Sequence, residues 1–318
     1  MDAMWMMPNR RPLAAMLFVL TLTGCALSPR VSEAPLVEDT DASLVQRLSR
    51  ADVLLLGEIH DNVEQHHRRL DWLRQLARDR RLILVMEQLD ADAQPRLAAA
   101  QAAMTSIPDS DDDLDRAARS LADAGGFNFK GWDWRLYGPV IRWALREGIE
   151  VRGANLSPAQ TMSIARGQAH RLADQRPPDW AEADETAMAA LIREGHCGLL
   201  PERMIAPMVR AQRARDARMA EALLEAMRSA IDGPRALSES VKTRRPMVVF
   251  LAGNGHVRSD LGVPRHLSGR LGENRLLSLG LLETKDRDDA VFDEVVRTKA
   301  QIRDDPCESL RKRFGRAG

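Results

Sequence analysis

The chain has 318 residues with 46 basic and 46 acidic side chains, so its formal net charge is zero, and only 4% of its residues are aromatic. That balance implies no nucleic-acid partner, because nucleic-acid-binding domains carry a clustered basic excess. Its C-terminal portion of about 275 residues is long enough to bury one substantial α/β core.

Arg10 and Arg11 precede an uncharged apolar run over residues 13–24 that closes in Leu22-Thr23-Gly24-Cys25. The run is shorter than the ~20 residues a spanning helix needs, and small residues before a cysteine suit a lipoprotein peptidase. Residues 1–25 therefore read as a lipoprotein signal peptide with its lipobox, and palmitate-type acylation of Cys25 would anchor the mature chain to a membrane. Ala26 follows the cysteine, where an aspartate would favour inner-membrane retention, so an outer-membrane lipoprotein with its domain facing the periplasm is expected. Loss of Asp2, Arg10 and Arg11 takes 46 basic and 46 acidic residues to 44 and 45, about minus one. Residues 26–42, ALSPRVSEAPLVEDTDA, combine two prolines, several acids and no periodicity, and read as a flexible tether. Cys197 and Cys307 remain; an oxidising compartment would let them pair, but their spacing does not say whether they meet.

Five short aliphatic runs follow, at 53–56, 82–86, 149–154, 247–252 and 276–282. Continuous apolarity, not alternation, signals strands buried on both faces. Helical patterns separate them, which predicts an α/β fold: a largely parallel central sheet with helices on both faces. Asp61 or Asn62 caps the first of these helices, with Glu64 or Gln65 as reciprocal partner. Val63, His66, Leu70, Leu73 and Ala77 form its apolar stripe, while His67 falls on the solvated side. Residues 91–124 read as one or two helices with a loop at 108–113, outside the sheet. From 158 to about 231 the pattern is helical, broken at Pro177-Pro178 and at 195–201. That is too much helix for one crossover, so about 157–240 reads as an inserted helical subdomain within a domain spanning 43–318.

Three strand ends carry polar chemistry. One ends in Gly57-Glu58-Ile59-His60, another in Gly253-Asn254-Gly255-His256, and a third in Met86-Glu87. In an open parallel sheet the carboxyl ends of the strands line the ligand crevice, so these groups should reach one rim. Glycine there permits a sharp turn and a close approach. Two imidazoles and a carboxylate suit a divalent metal with an open position for water, or a base oriented by a carboxylate. His60, Glu87 and His256 are thus candidate metal ligands and candidate catalytic residues of a hydrolase. A single Gly-x-x-His is commonly a histidine satisfied by backbone; two copies with a strand-end glutamate favour a shared site. Asp61 and Asn62 are explained by capping. Arg258 either pairs with Asp260 or meets a ligand carboxylate. Further along, Met208, Gln212, Arg215 and Met219 share one helix face by spacings of four, three and four. A methionine stripe is usually core, yet the polar Gln212 and Arg215 on it would suit a flat amphiphilic ligand.

The motifs GEIHDN with His66-His67, Met86-Glu87, Gly131-Trp132-Asp133-Trp134 with Tyr137 and Pro139, and Ala154-Asn155-Leu156 occur in that order. Gln212-x-x-Arg215-Asp216-x-x-Met219-Ala220 and GNGHVR through Gly262-Val263-Pro264 follow. Together, over about residues 44–282, they resemble the ChaN family of iron-regulated, haem-binding lipoproteins. Its wider superfamily includes Tiki metalloproteases, TraB proteins and erythromycin esterases, in which paired Gly-x-x-His motifs and a glutamate form the active site. The resemblance implies haem handling at the outer membrane, with Glu58, His60, His66, Tyr137, Met208, Gln212, Arg215, His256 and Arg258 as haem-binding candidates. Haem ligation in the family is attributed to tyrosine, whereas this chain has one tyrosine, Tyr137, in a segment that reads as a strand-to-helix transition. Tyrosine, histidine and methionine all ligate haem iron.

Two functions are therefore expected. The first is a lipid-anchored haem-binding protein that takes part in haem or iron uptake. It would capture haem between the helical subdomain and the sheet rim, with a homodimer and an outer-membrane haem receptor or transport system as candidate partners. The alternative is a Tiki or erythromycin-esterase-like hydrolase, with or without a divalent metal.

Overall fold

Each of the five apolar runs forms a strand: β1 (Val53–Leu56), β2 (Leu82–Asp90), β3 (Glu150–Asn155), β4 (Met247–Leu251) and β5 (Leu276–Glu283). The computed structural model describes residues 41–104, 106–108, 110–232, 245–286, 289–305, 307–308 and 311–312. The signal peptide, Cys25, the tether up to residue 40 and residues 233–240 of the expected insertion lie outside the described residues. A sixth strand, β6 (Glu294–Thr298), was not expected from the sequence. Its EVVRT pattern is half-buried at a sheet edge, so it lacks the continuous apolar run that marks the others. All six are parallel, in the order β3-β2-β4-β1-β5-β6.

Strand alternation sends side chains to two helical layers. Leu54, Leu56, Leu84, Met86, Val249 and Leu251 point to the first. That layer holds α1 (Asp41–Leu48), α2 (Val63–Asp79), α3 (Gln94–Ala102), α4 (Asp111–Ala124) and α5 (Trp134–Arg146). Helix α1 begins at Asp41, so the last two residues assigned to the tether are helical. Asn62 caps α2, its side chain accepting from the Gln65 amide at 3.2 Å. The Gln65 side chain accepts instead from the Ile59 amide at 2.6 Å and so fixes the turn leaving β1. Val63 is exposed; His66, Leu70 and Leu73 of the expected stripe are buried, together with Gln65, Arg69, Trp72 and Leu76.

The second layer receives Val53, Leu55, Ile83, Val85, Val248 and Phe250. It is built on α8 (Ile205–Asp232), whose Met219, Ala220 and Leu223 pack on the sheet beside α9 (Asn254–Val257) and α10 (Val263–Leu267). The first half of α8 carries the rest of the helical tract. Ala214 and Ala217 pack with Ile164 of α6 (Pro158–Ala165), while Ile205 and Val209 pack with Met188 of α7 (Glu182–Gly195). Cys197 and Cys307 form a disulfide with a Cα separation of 5.9 Å, tying the turn after α7 to the C-terminal segment.

Topology decides the site. Strand β4 inserts between β1 and β2, with Leu251 paired to both Leu56 and Met86. The next residues, Gly57, Ala252 and Glu87, therefore stand side by side at the carboxyl end of the sheet, Gly57 and Ala252 leaving their strands and Glu87 still within β2, which runs past the expected end at Met86 to Asp90.

Candidate functional site

Two buried carboxylates organise the rim. Glu58, 2% exposed, accepts the Tyr137 hydroxyl at 2.5 Å and is 3.0 Å from His60 Nδ1, while Arg69 donates to its other oxygen. With Tyr137 and Arg69 donating, Glu58 is the acceptor, so the His60 proton sits on Nδ1 and the lone pair on Nε2. His66 donates from Nε2 to the His60 carbonyl at 3.0 Å and accepts from Arg69 at Nδ1 at 3.1 Å. Burial pushes the His66 imidazole down to about 4, consistent with a neutral ring that both donates and accepts. Burial likewise pushes the Tyr137 phenol up, so it remains a hydroxyl donor.

Glu87, 3% exposed, accepts from Arg215 at 2.7 Å and from the Gly253 amide at 2.8 Å, and lies 3.3 Å from His256 Nε2. The opposite nitrogen of His256 donates to Asp216 at 2.5 Å. Burial opposes charge on His256, but Glu87 and Asp216 outweigh it and raise the imidazole to about 9. Burial also opposes charge on Glu87, and His256 with Arg215 holds its carboxyl well below the usual range. Asn155 joins the network, accepting from Arg215 at 3.1 Å and donating to the Glu87 carbonyl at 3.1 Å. The amide nitrogen of Gln212 stands 3.2 Å from His256 Nδ1, and its oxygen accepts from Arg215 at 3.2 Å.

The two carboxylate networks meet at Gly253. A β-carbon there would lie 2.7 Å from both Cε1 and Nε2 of His60 and 3.7 Å from Glu87 Oε2. Of the two reasons for glycine at this strand end, the close approach is the one used, since its φ of −61° suits any residue. The His60 side chain stays 45% exposed. Partial burial, helped by His256 and Arg215 against the pull of Glu87, lowers its imidazole below the ordinary value. The rim thus holds one neutral, accessible imidazole beside one buried imidazolium.

Trp132, edge-on to His60 at 4.8 Å between ring centroids, separates two depressions. On its first side His60, His66, Arg69 and Tyr137 line a cavity of about 680 Å³. On the other, a second of about 680 Å³ opens between the rim and the helical tract, lined by Glu87, Leu156, Met204, Met208, Gln212 and Arg215.

Eight of the nine residues proposed for haem are distributed over this rim and its two depressions. Arg258 is not: its guanidinium takes both oxygens of Asp260, at 2.6 and 2.8 Å. Met219 leaves the Met208 face for the sheet core. The expected divalent-metal set is not supported. His60, Glu87 and His256 do converge, but both nitrogens of His256 already face carboxylates, Glu87 at 3.3 Å and Asp216 at 2.5 Å. Among the described residues no group of three or more His, Cys, Asp or Glu side chains is disposed to hold a metal ion. Arg69 and Asp216 belong to the site although no motif in the sequence marks them as site residues. Each is a charge on an otherwise buried helix face, with Trp72 and Leu73 beyond Arg69, and Met219 and Ala220 beyond Asp216; that mismatch was the available signal.

Residues 44–267 match the family model described as haem-binding uptake, Tiki superfamily, ChaN. The chain belongs to the ChaN family. Among solved structures, ChaN of Campylobacter jejuni with cofacially bound haem superposes with a TM-score of 0.63 at 22% identity, covering 80% of this chain and 90% of that one. An erythromycin esterase in its open conformation matches with a TM-score of 0.41 at 15% identity, over 76% of this chain and 72% of that one. No curated protein matches the chain. The first likeness establishes a shared ChaN fold.

Proposed function

We propose that this ChaN-family chain is a haem-binding lipoprotein, anchored through Cys25 at the outer membrane with its domain facing the periplasm, and that it takes part in haem or iron uptake. The cavity between rim and helical tract carries this reading. Its residues fit the group: Trp132, Leu156, Pro158, Met162 and Met208 offer apolar and soft surface for a macrocycle, and Arg166 and Arg215 offer cations for its carboxylates. Bound haem would supply the iron and its redox chemistry, while the chain's residues hold and orient it. The disulfide supports export, since such bonds persist in oxidising compartments. Cofacial haem in the Campylobacter protein makes a homodimer part of the proposal, with a haem receptor or transport system as supplier. Hemin titrated into the mature chain carrying Cys25→Ser should give a shifted Soret band that saturates stoichiometrically. A spectrum equal to that of free hemin would refute the reading.

The rim supports a second function, ester or peptide hydrolysis, on a separate observation: His60 is neutral, accessible and braced by Glu58, with Glu87 beside it. Such an imidazole is suited to accept a proton from water. If so, His60→Ala should abolish turnover of an activated ester while leaving hemin binding in place; equal turnover by variant and wild type would remove this alternative.

A further inference from the structure

We infer that the thioether of Met208, not a phenolate, would ligate haem iron in this chain. The inference rests on the haem reading above and adds the ligating atom. Tyr137 is the chain's only tyrosine and is fully buried. Its hydroxyl is committed to Glu58, and its ring is packed edge-on against His66 at 4.9 Å and Trp132 at 5.5 Å. Burial disfavours the phenolate that iron would need. Bringing its oxygen to a haem in the larger opening would mean dismantling the Glu58 network.

No histidine lines this cavity, and two of those at the rim are committed. His66 uses both ring nitrogens, and so does His256. His60 does not line the methionine cavity, and its Nε2 edge abuts Gly253. What remains on the wall of the apolar cavity is sulfur: Met162 of α6, Met204 in the turn before α8, and Met208. A thioether is a neutral, soft haem ligand that needs no deprotonation. Of the three, Met208 stands on the longest element, one packed on the sheet. It lies one turn before Gln212 and two before Arg215 on α8, a 28-residue helix fixed to the sheet by Met219, Ala220 and Leu223. Met162, by contrast, is 51% exposed on an eight-residue helix.

The test is spectroscopic. Hemin is added to the mature chain carrying Cys25→Ser, and ferric spectra are followed into the near infrared with magnetic circular dichroism. The inference expects the thioether-to-iron charge-transfer band in this chain, its loss in Met208→Leu, and its retention in Tyr137→Phe. Leucine conserves volume, so Met208→Leu keeps the fold. Should Tyr137→Phe fail to fold, resonance Raman of the unsubstituted complex decides the same point, because a phenolate ligand shows iron-bound tyrosine modes. Those modes, or a band that survives Met208→Leu, would overturn the inference while leaving haem binding intact. Failure to shift the hemin spectrum at all would take both readings down.

Discussion

Gly253 occupies a backbone conformation open to any residue, so its value lies in the space it leaves for His60. Gly253→Ala should therefore push the imidazole off Glu58 and cost about 1 to 3 kcal/mol in urea unfolding, the usual range for overpacking. The His60 ring signals in an NMR titration should move with it; unchanged signals would contradict the packing described. His256 gives a pH prediction. Its folded value of about 9 lies above the ordinary 6.5, so its stabilisation is complete below pH 6.5 and is lost as pH rises through 9. That shift corresponds to on the order of 3 kcal/mol. Melting temperatures measured from pH 6.5 to 9.5 should fall more steeply in the wild type than in His256→Gln, and parallel curves would count against the imidazolium. His60, Glu87 and His256 were legible in the sequence because each lies at or within five residues of the end of a buried apolar run. Arg69 and Asp216 were not, because the partners that justify their burial lie 11 and 40 residues away in the chain.

Helix α8 does two jobs with two stretches of one sequence. Its first half presents Met208, Gln212 and Arg215 to the cavity, while Leu223 and its neighbours cover the sheet. Leu223→Ala should cost about 2 to 5 kcal/mol, as large-to-small core changes do, measured by chemical denaturation. Hemin affinity should fall in parallel, since the cavity wall and the sheet contact share one rigid rod; a stability loss without an affinity change would mean the halves are uncoupled. The helical breaks at Pro177-Pro178 and at 195–201 were legible because chain-breaking residues act locally. Strand β6 escaped notice because an edge strand is defined by its hydrogen-bonded neighbour β5, not by its own apolarity.

The C-terminal segment closes the molecule over a long sequence distance. Arg303 bonds to both Asp61 and Glu283, and four residues later Cys307 is covalently joined to Cys197 across 110 residues. The chain-entropy view assigns such a loop about 4 to 5 kcal/mol. Cys307→Ser should lower the melting temperature, and dithiothreitol should destabilise the wild type but not the variant. Equal melting with and without the bridge would show that the segment is held by its ion pairs alone. Arg303 lowers the Glu283 carboxyl to about 2 from 4.5, so this second tie is complete above pH 4.5 and is lost as pH falls towards 2.

The positions of the five apolar strands, the helix breaks, the cap of α2 and the glycine-histidine strand ends are written in the sequence, because burial periodicity and capping act within a few residues of themselves. The insertion of β4 between β1 and β2, the union of Cys197 with Cys307 and the charge partners of each imidazole are not. These depend on crossover direction and register, which set distances between segments separated by up to about 200 residues, and neighbouring residues carry no record of them.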